Sequence, residues 1–125
     1  LEEWGLTVGD IGRLVGLSGP YGMYPSRVNF IAGIFPPAEM ESVARPVTFA
    51  RPDAPPMLLL HGADDGLVAP ENSLRLADLQ TAQGSQARAQ IYDGVGHREI
   101  IVAMAPLFRG LAPVLDDATA FLAAT

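Results

Sequence analysis

Asp65 and His97 are the two side chains whose types and settings could do chemistry together. Each follows a largely apolar run and sits in a glycine-rich turn. The first segment is Met57-Leu58-Leu59-Leu60-His61-Gly62-Ala63-Asp64-Asp65-Gly66-Leu67-Val68-Ala69-Pro70. The second is Tyr92-Asp93-Gly94-Val95-Gly96-His97. A carboxylate beside an imidazole accepts the Nδ1 proton, fixes the tautomer and leaves Nε2 outward as a base. Such a base needs a nucleophile. Ser18 is the tempting one, because Gly16-Leu17-Ser18-Gly19-Pro20 approaches G-x-S-x-G. Pro20 replaces the last glycine, and no helical pattern follows to aim amides at an oxyanion. Ser18 is therefore read as the end of its strand. Ser26, Ser42, Ser73 and Ser85 stand in weaker contexts still. His61 closes an apolar run and is read as a packed ring, hydrogen-bonded beneath the site. Asp64 is read as a solvated or loop-ordering carboxylate, since Asp favours turns and caps.

The elements around these residues must bring them to one place. Ile11 to Ser18 reads as a short buried strand stopped by Gly19-Pro20. Residues 19–56 are rich in Pro and Gly and form a long excursion, with short helices expected near Asn29 to Phe35 and Ala38 to Ala44. Met57 to His61 is apolar up to its last residue, the pattern of an interior parallel strand. Pro70 to Gln83 reads as a helix with Leu74, Leu76, Ala77, Leu79 and Ala82 inward and Gly84 as its stop. Ala87 to Tyr92 alternates, as a half-exposed edge strand does. A short helix is expected after His97, ending before Pro106, and a last helix over Val114 to Ala124. There Val114, Leu115, Ala118, Phe121 and Leu122 share one face.

Strand, excursion, strand, helix, strand, helix is the order of an α/β fold: three parallel strands with flanking helices. Sites in such sheets form beyond the carboxyl ends of the strands. Asp65 lies four residues past one strand and His97 five past the next. One helix joins the two strands, which predicts neighbours about 4.8 Å apart. Both side chains then rise from one rim, with Gly62, Gly66, Gly94 and Gly96 keeping the turns tight.

Bulk properties exclude several classes. The 125 residues carry a formal charge of −6 with no basic run, so nucleic acid is not an expected partner. Cysteine is absent, which removes thiolate catalysis and Cys-ligated metals. The His and Asp spacings fit no zinc pattern, and no metal or cofactor is expected. No apolar run approaches the roughly 18 residues of a membrane span. No signal peptide is visible, and the compartment stays undecided. Leu1-Glu2-Glu3-Trp4-Gly5 reads as the last turn of a helix, so residues 1–125 are expected to be part of a longer chain.

The two segments resemble motifs of the α/β-hydrolase fold. They are most similar to carboxylesterase and lipase-type hydrolases related to arylformamidases. There an HGxxDxxVP-like segment carries the triad acid and a YxGxGH segment the triad histidine. The first differs here only by the extra residue before Pro70. The second matches throughout. Leu17-Ser18-Gly19-Pro20-Tyr21 also resembles the stretch after that family's sixth strand. The resemblance covers nearly the whole chain. It implies that residues 1–125 are the C-terminal fragment of a single α/β-hydrolase domain, strands six to eight. It also implies Asp65 as triad acid, in preference to Asp64, and His97 as triad histidine. The nucleophile then lies upstream. The implied activity is carboxylic-ester hydrolysis on a small-molecule ester or amide, without cofactor, with residues 19–56 covering part of the pocket. Two alternatives stand beside it: a peptidase of the prolyl-oligopeptidase type, which shares the layout, and a non-catalytic remnant used for binding or assembly. An unpaired sheet edge would favour self-association.

Overall fold

The computed structural model describes residues 2–22 and 41–124. The helix expected near Asn29 to Phe35, the residues 38–40 of the next one, and Ser26 lie outside them. Three parallel strands form the sheet: β1 (Leu14–Leu17), β2 (Met57–Gly62) and β3 (Ala87–Tyr92), in the order β1-β2-β3. The helices are α1 (Glu41–Ala44), α2 (Glu71–Ala82), α3 (Glu99–Val102) and α4 (Val114–Ala123).

β2 is central because its sequence is apolar without alternation. Leu58, Leu59 and Leu60 are fully buried, each stabilising the fold by about 1.5–3 kcal/mol. Its side chains divide between two cores. Leu58 and Leu60 pack with Tyr92, Val95, Ile100, Ala103, Ala112, Val114 and Ala118, beneath α3 and α4. Leu59 packs with Val47, Leu76 and Ala77, beneath α2. Helices therefore cover both faces of the sheet.

Several boundaries differ from the sequence reading. β1 begins at Leu14, not Ile11; a 3-10 turn at Val8–Asp10 precedes it, and Ile11 is exposed. Thr7 fixes that turn, since its backbone amide and hydroxyl both donate to the Asp10 carboxylate. At the N-terminus Glu2–Trp4 is a 3-10 turn, ended by Gly5 in the left-handed region with φ 67°. In α2 the buried face is Ser73, Leu76, Ala77 and Gln80, whereas Leu74 and Ala82 are exposed. The stripe turns because two polar residues find partners inside: Ser73 reaches His61, and Gln80 accepts from the Arg51 amide. In α4, Val114 and Ala118 are buried and Leu122 is exposed.

Candidate active site

β2 and β3 pair in register from Met57↔Ala87 to Gly62↔Tyr92, so their carboxyl ends stop level. The chains beyond them stay in contact. The Ala63 amide donates to the Tyr92 carbonyl at 2.8 Å and the Asp64 amide to the Val95 carbonyl at 3.0 Å. Gly62 permits this approach: a Cβ there would collide with the Val95 carbonyl oxygen. Gly94 takes φ 72°, which turns the second loop back toward the first. Gly66 and Gly96 do not use the left-handed region.

Asp65 and His97 meet above this join. His97 Nδ1 lies 2.8 Å from Asp65 Oδ2. The Asp65 side chain is fully buried and that of His97 is 35% exposed, so the acid lies beneath and the ring reaches outward. The other oxygen of Asp65, Oδ1, accepts from the Leu67 amide at 3.0 Å and the Val68 amide at 2.8 Å. Burial acts most strongly on this carboxyl and pushes its pKa up. The Val68 amide, the His97 ring, the Leu67 amide and the Ser18 hydroxyl together outweigh burial, and the pKa falls below the ordinary value. The group is thus a carboxylate over the whole neutral range. It gives His97 an acceptor at Nδ1, which directs the lone pair of a neutral ring to Nε2.

Asp64, next in sequence, is exposed and holds the join through its amide. His61 is fully buried and bonded on both ring nitrogens, to Ser73 Oγ at 2.7 Å and to the Val68 carbonyl at 2.9 Å. Its Nε2 also lies 3.2 Å from Asp65 Oδ2. Ser18 is 3% exposed and takes φ 43°, the one non-glycine positive φ among the described residues. Its hydroxyl favours the Asp65 carboxylate but has no hydrogen bond of good geometry, and it makes none to His97. Residues 19–22 are not helical, so no helix N-terminus follows Ser18 directly. Ser85 Oγ donates to the Ala54 carbonyl, away from the rim. Trp4 is 80% exposed, and Tyr21 folds back over Gly16 and Gly19.

Sequence reasoning passed over Ser73 and the Val68 carbonyl. The signal for Ser73 was its phase: it recurs with Leu76, Ala77 and Gln80 at the spacing of one helix face. Among the described residues no group of three or more His, Asp or Glu is placed to hold a metal, and no helix is long and apolar enough to cross a membrane.

Residues 35–119 match the prolyl oligopeptidase family. Among solved structures the chain is similar to Thermogutta terrifontis esterase 2 phosphoramylated by tabun. The identity there is 17%, over 89% of this chain and 40% of that one, with TM-score 0.67. It is similar also to an acetyl ester-xyloside bifunctional hydrolase from Caldicellulosiruptor lactoaceticus, at 16% identity over 89% and 42%, TM-score 0.68. A truncated carbohydrate esterase from gut microbiota is 20% identical over 78% and 39%, TM-score 0.63. At these identities the likeness is one of fold: three parallel strands with flanking helices, as in the α/β-hydrolase fold. The chain spans about two-fifths of the length of these structures. No curated protein matches its sequence.

Proposed function

Because the chain belongs to the prolyl oligopeptidase family, we propose that it carries the acid and the base of a serine hydrolase acting on carboxylic esters. One observation carries the proposal: the 2.8 Å contact of His97 Nδ1 with a buried, ionised Asp65 at the carboxyl rim of adjacent parallel strands. The nucleophile is a serine upstream of this sequence, in the order nucleophile, acid, histidine. Among the serines whose side chains are described, Ser18, Ser73 and Ser85 are buried and none bonds His97, which supports this.

In this mechanism the serine hydroxyl attacks the ester carbonyl while His97 Nε2 takes its proton. Asp65 stabilises the imidazolium that forms. The tetrahedral intermediate collapses, the C–O bond to the alcohol breaks, and His97 returns the proton to the departing oxygen. Water then repeats the sequence on the acyl-enzyme and releases the carboxylic acid. A small-molecule ester is the proposed substrate. A second reading, cleavage of peptide bonds by the same steps, is favoured by the family match. The edge of β1 left open among the described residues is a further proposed contact, through which the 125-residue chain associates with itself.

The test uses the full-length protein, an activated aryl ester, a prolyl-peptide anilide and an organophosphonate label. Ester turnover with label on an upstream serine is expected, and Asp65→Asn should lower kcat on the order of 10⁴-fold. Preference for the anilide would select the peptidase reading. No turnover of either substrate would select the non-catalytic remnant. Stoichiometric label on Ser18 would remove the upstream nucleophile.

A further inference from the structure

We propose that His61 is the positioning residue of the acid, a second imidazole that holds Asp65 in the orientation His97 requires. The inference rests on the reading of Asp65 and His97 as catalytic. It begins with the tautomer. The Val68 carbonyl is an acceptor only, so His61 Nε2 carries the proton and donates to it at 2.9 Å. In the neutral ring Nδ1 then accepts from the Ser73 hydroxyl at 2.7 Å. Ser73 is itself fully buried and sits on α2, so the helix holds a ring whose tautomer the Val68 carbonyl has set.

The same Nε2 lies 3.2 Å from Asp65 Oδ2, while its hydrogen bond goes to the Val68 carbonyl. Asp65 Oδ2 thus has two imidazoles beside it, His61 from below and His97 from the rim. Val68 closes the arrangement: its amide donates to Asp65 Oδ1 and its carbonyl accepts from His61. One buried ring therefore fastens the Val68 end of the turn, and the Val68 amide passes that hold to Asp65. Movement of the turn as a body would carry Asp65 out of reach of His97, and His61 opposes that movement through Val68.

A ring that only filled space would need no such bonding. His61 lies on the α2 side of the sheet with Leu59, where a leucine would also pack. The choice of a fully buried polar ring is costly unless every polar atom is satisfied, and here each nitrogen is.

The test compares His61→Leu, His61→Gln, Ser73→Ala and Asp65→Asn in the full-length protein. Two quantities are read: kcat and KM for 4-nitrophenyl acetate, and the low-field proton resonance of His97 Nδ1–H. Leucine should lower kcat about 10–100-fold, by analogy with losing the partner that orients a metal-ligating side chain. KM should stay within about threefold, because His61 does not reach the rim, and the His97 resonance should move or broaden. Glutamine, whose amide can donate at the place of Nε2, should recover kcat to within about fivefold of the parent. Unchanged kcat and resonance in the leucine variant, with Asp65→Asn still inactive, would overturn the positioning role and leave the catalytic reading standing. Glutamine failing as badly as leucine would overturn it too, by reducing the ring to packing. Full activity in Asp65→Asn would remove the catalytic reading and this role with it. If His61→Leu does not fold, Ser73→Ala decides. It keeps the ring and its bond to Val68 but removes the hydroxyl that holds Nδ1, so a fall in kcat with a shifted resonance supports the role, and parent values overturn it.

Discussion

Asp65 is a buried acid that stays ionised, and its pH behaviour follows from that. Its folded pKa lies below the ordinary value near 3.9, with burial pushing up and the Val68 amide, His97 and the other donors pulling down harder. A group depressed on folding contributes stability that is present above its unfolded pKa and lost as pH falls through the folded one. The Asp65–His97 contact should therefore survive at pH 4, where an ordinary Asp is nearly half protonated, and fail only below that. Carboxyl chemical shifts followed from pH 6 to pH 2 check this; a midpoint at or above 3.9 would contradict it. At this scale the sequence was informative where chemistry and spacing coincided. Asp65 and His97 stood out because each closes a strand with a glycine turn. His61 was recognisable as a packed ring, but its bond to Ser73 was not. That bond depends on the phase of α2, and Ser73 sits at a position where an apolar stripe alone would place Leu74.

The loops after β2 and β3 behave as one element, because Gly62 lets them touch. Gly62→Ala should force the Val95 carbonyl away and lengthen the path between Asp65 and His97. Overpacking of this kind costs about 1–3 kcal/mol. Urea unfolding of the variant should show that loss, together with a fall in activity larger than the change in stability explains. A variant with parent stability and parent activity would show that the loops are not joined there. The strands and long helices were legible because their periods are plain: unbroken apolar residues in β2, alternation in β3, a proline start and glycine stop around α2. β1 was read too long at its start. Ile11 is apolar enough for a strand, yet the Thr7–Asp10 bonds wind the preceding residues into a turn, and hydropathy carries no trace of that competition.

For the molecule as a whole, the asymmetry of the sheet matters most. Among the described residues β1 pairs with β2 alone, and its outer edge offers unpaired backbone groups. Leu14 is 37% exposed beside it, and Leu107, at 84%, leads a run of exposed apolar residues with Phe108 and Leu111. Open edges and apolar patches recruit other chains. The 125-residue chain by itself should therefore sediment as oligomers despite its charge of −6. A monomer with a sharp cooperative melt would contradict this. The family's layout, not composition, made that edge foreseeable, since no local pattern tells an edge strand from one awaiting a neighbour.

The unit β2-α2-β3 has a consequence for inheritance. The proposed acid and base and the ring beneath them all lie between Met57 and His97, in the turns that follow β2 and β3 and at the end of β2 itself. Their mutual geometry is set by β2–β3 pairing and by α2, not by what adjoins β1. Such a segment is a portable cassette. Under the proposed function, recombination that swapped the part bearing the nucleophile would change which substrate is attacked while passing on an aligned acid–base pair, so specificity and proton handling can drift independently.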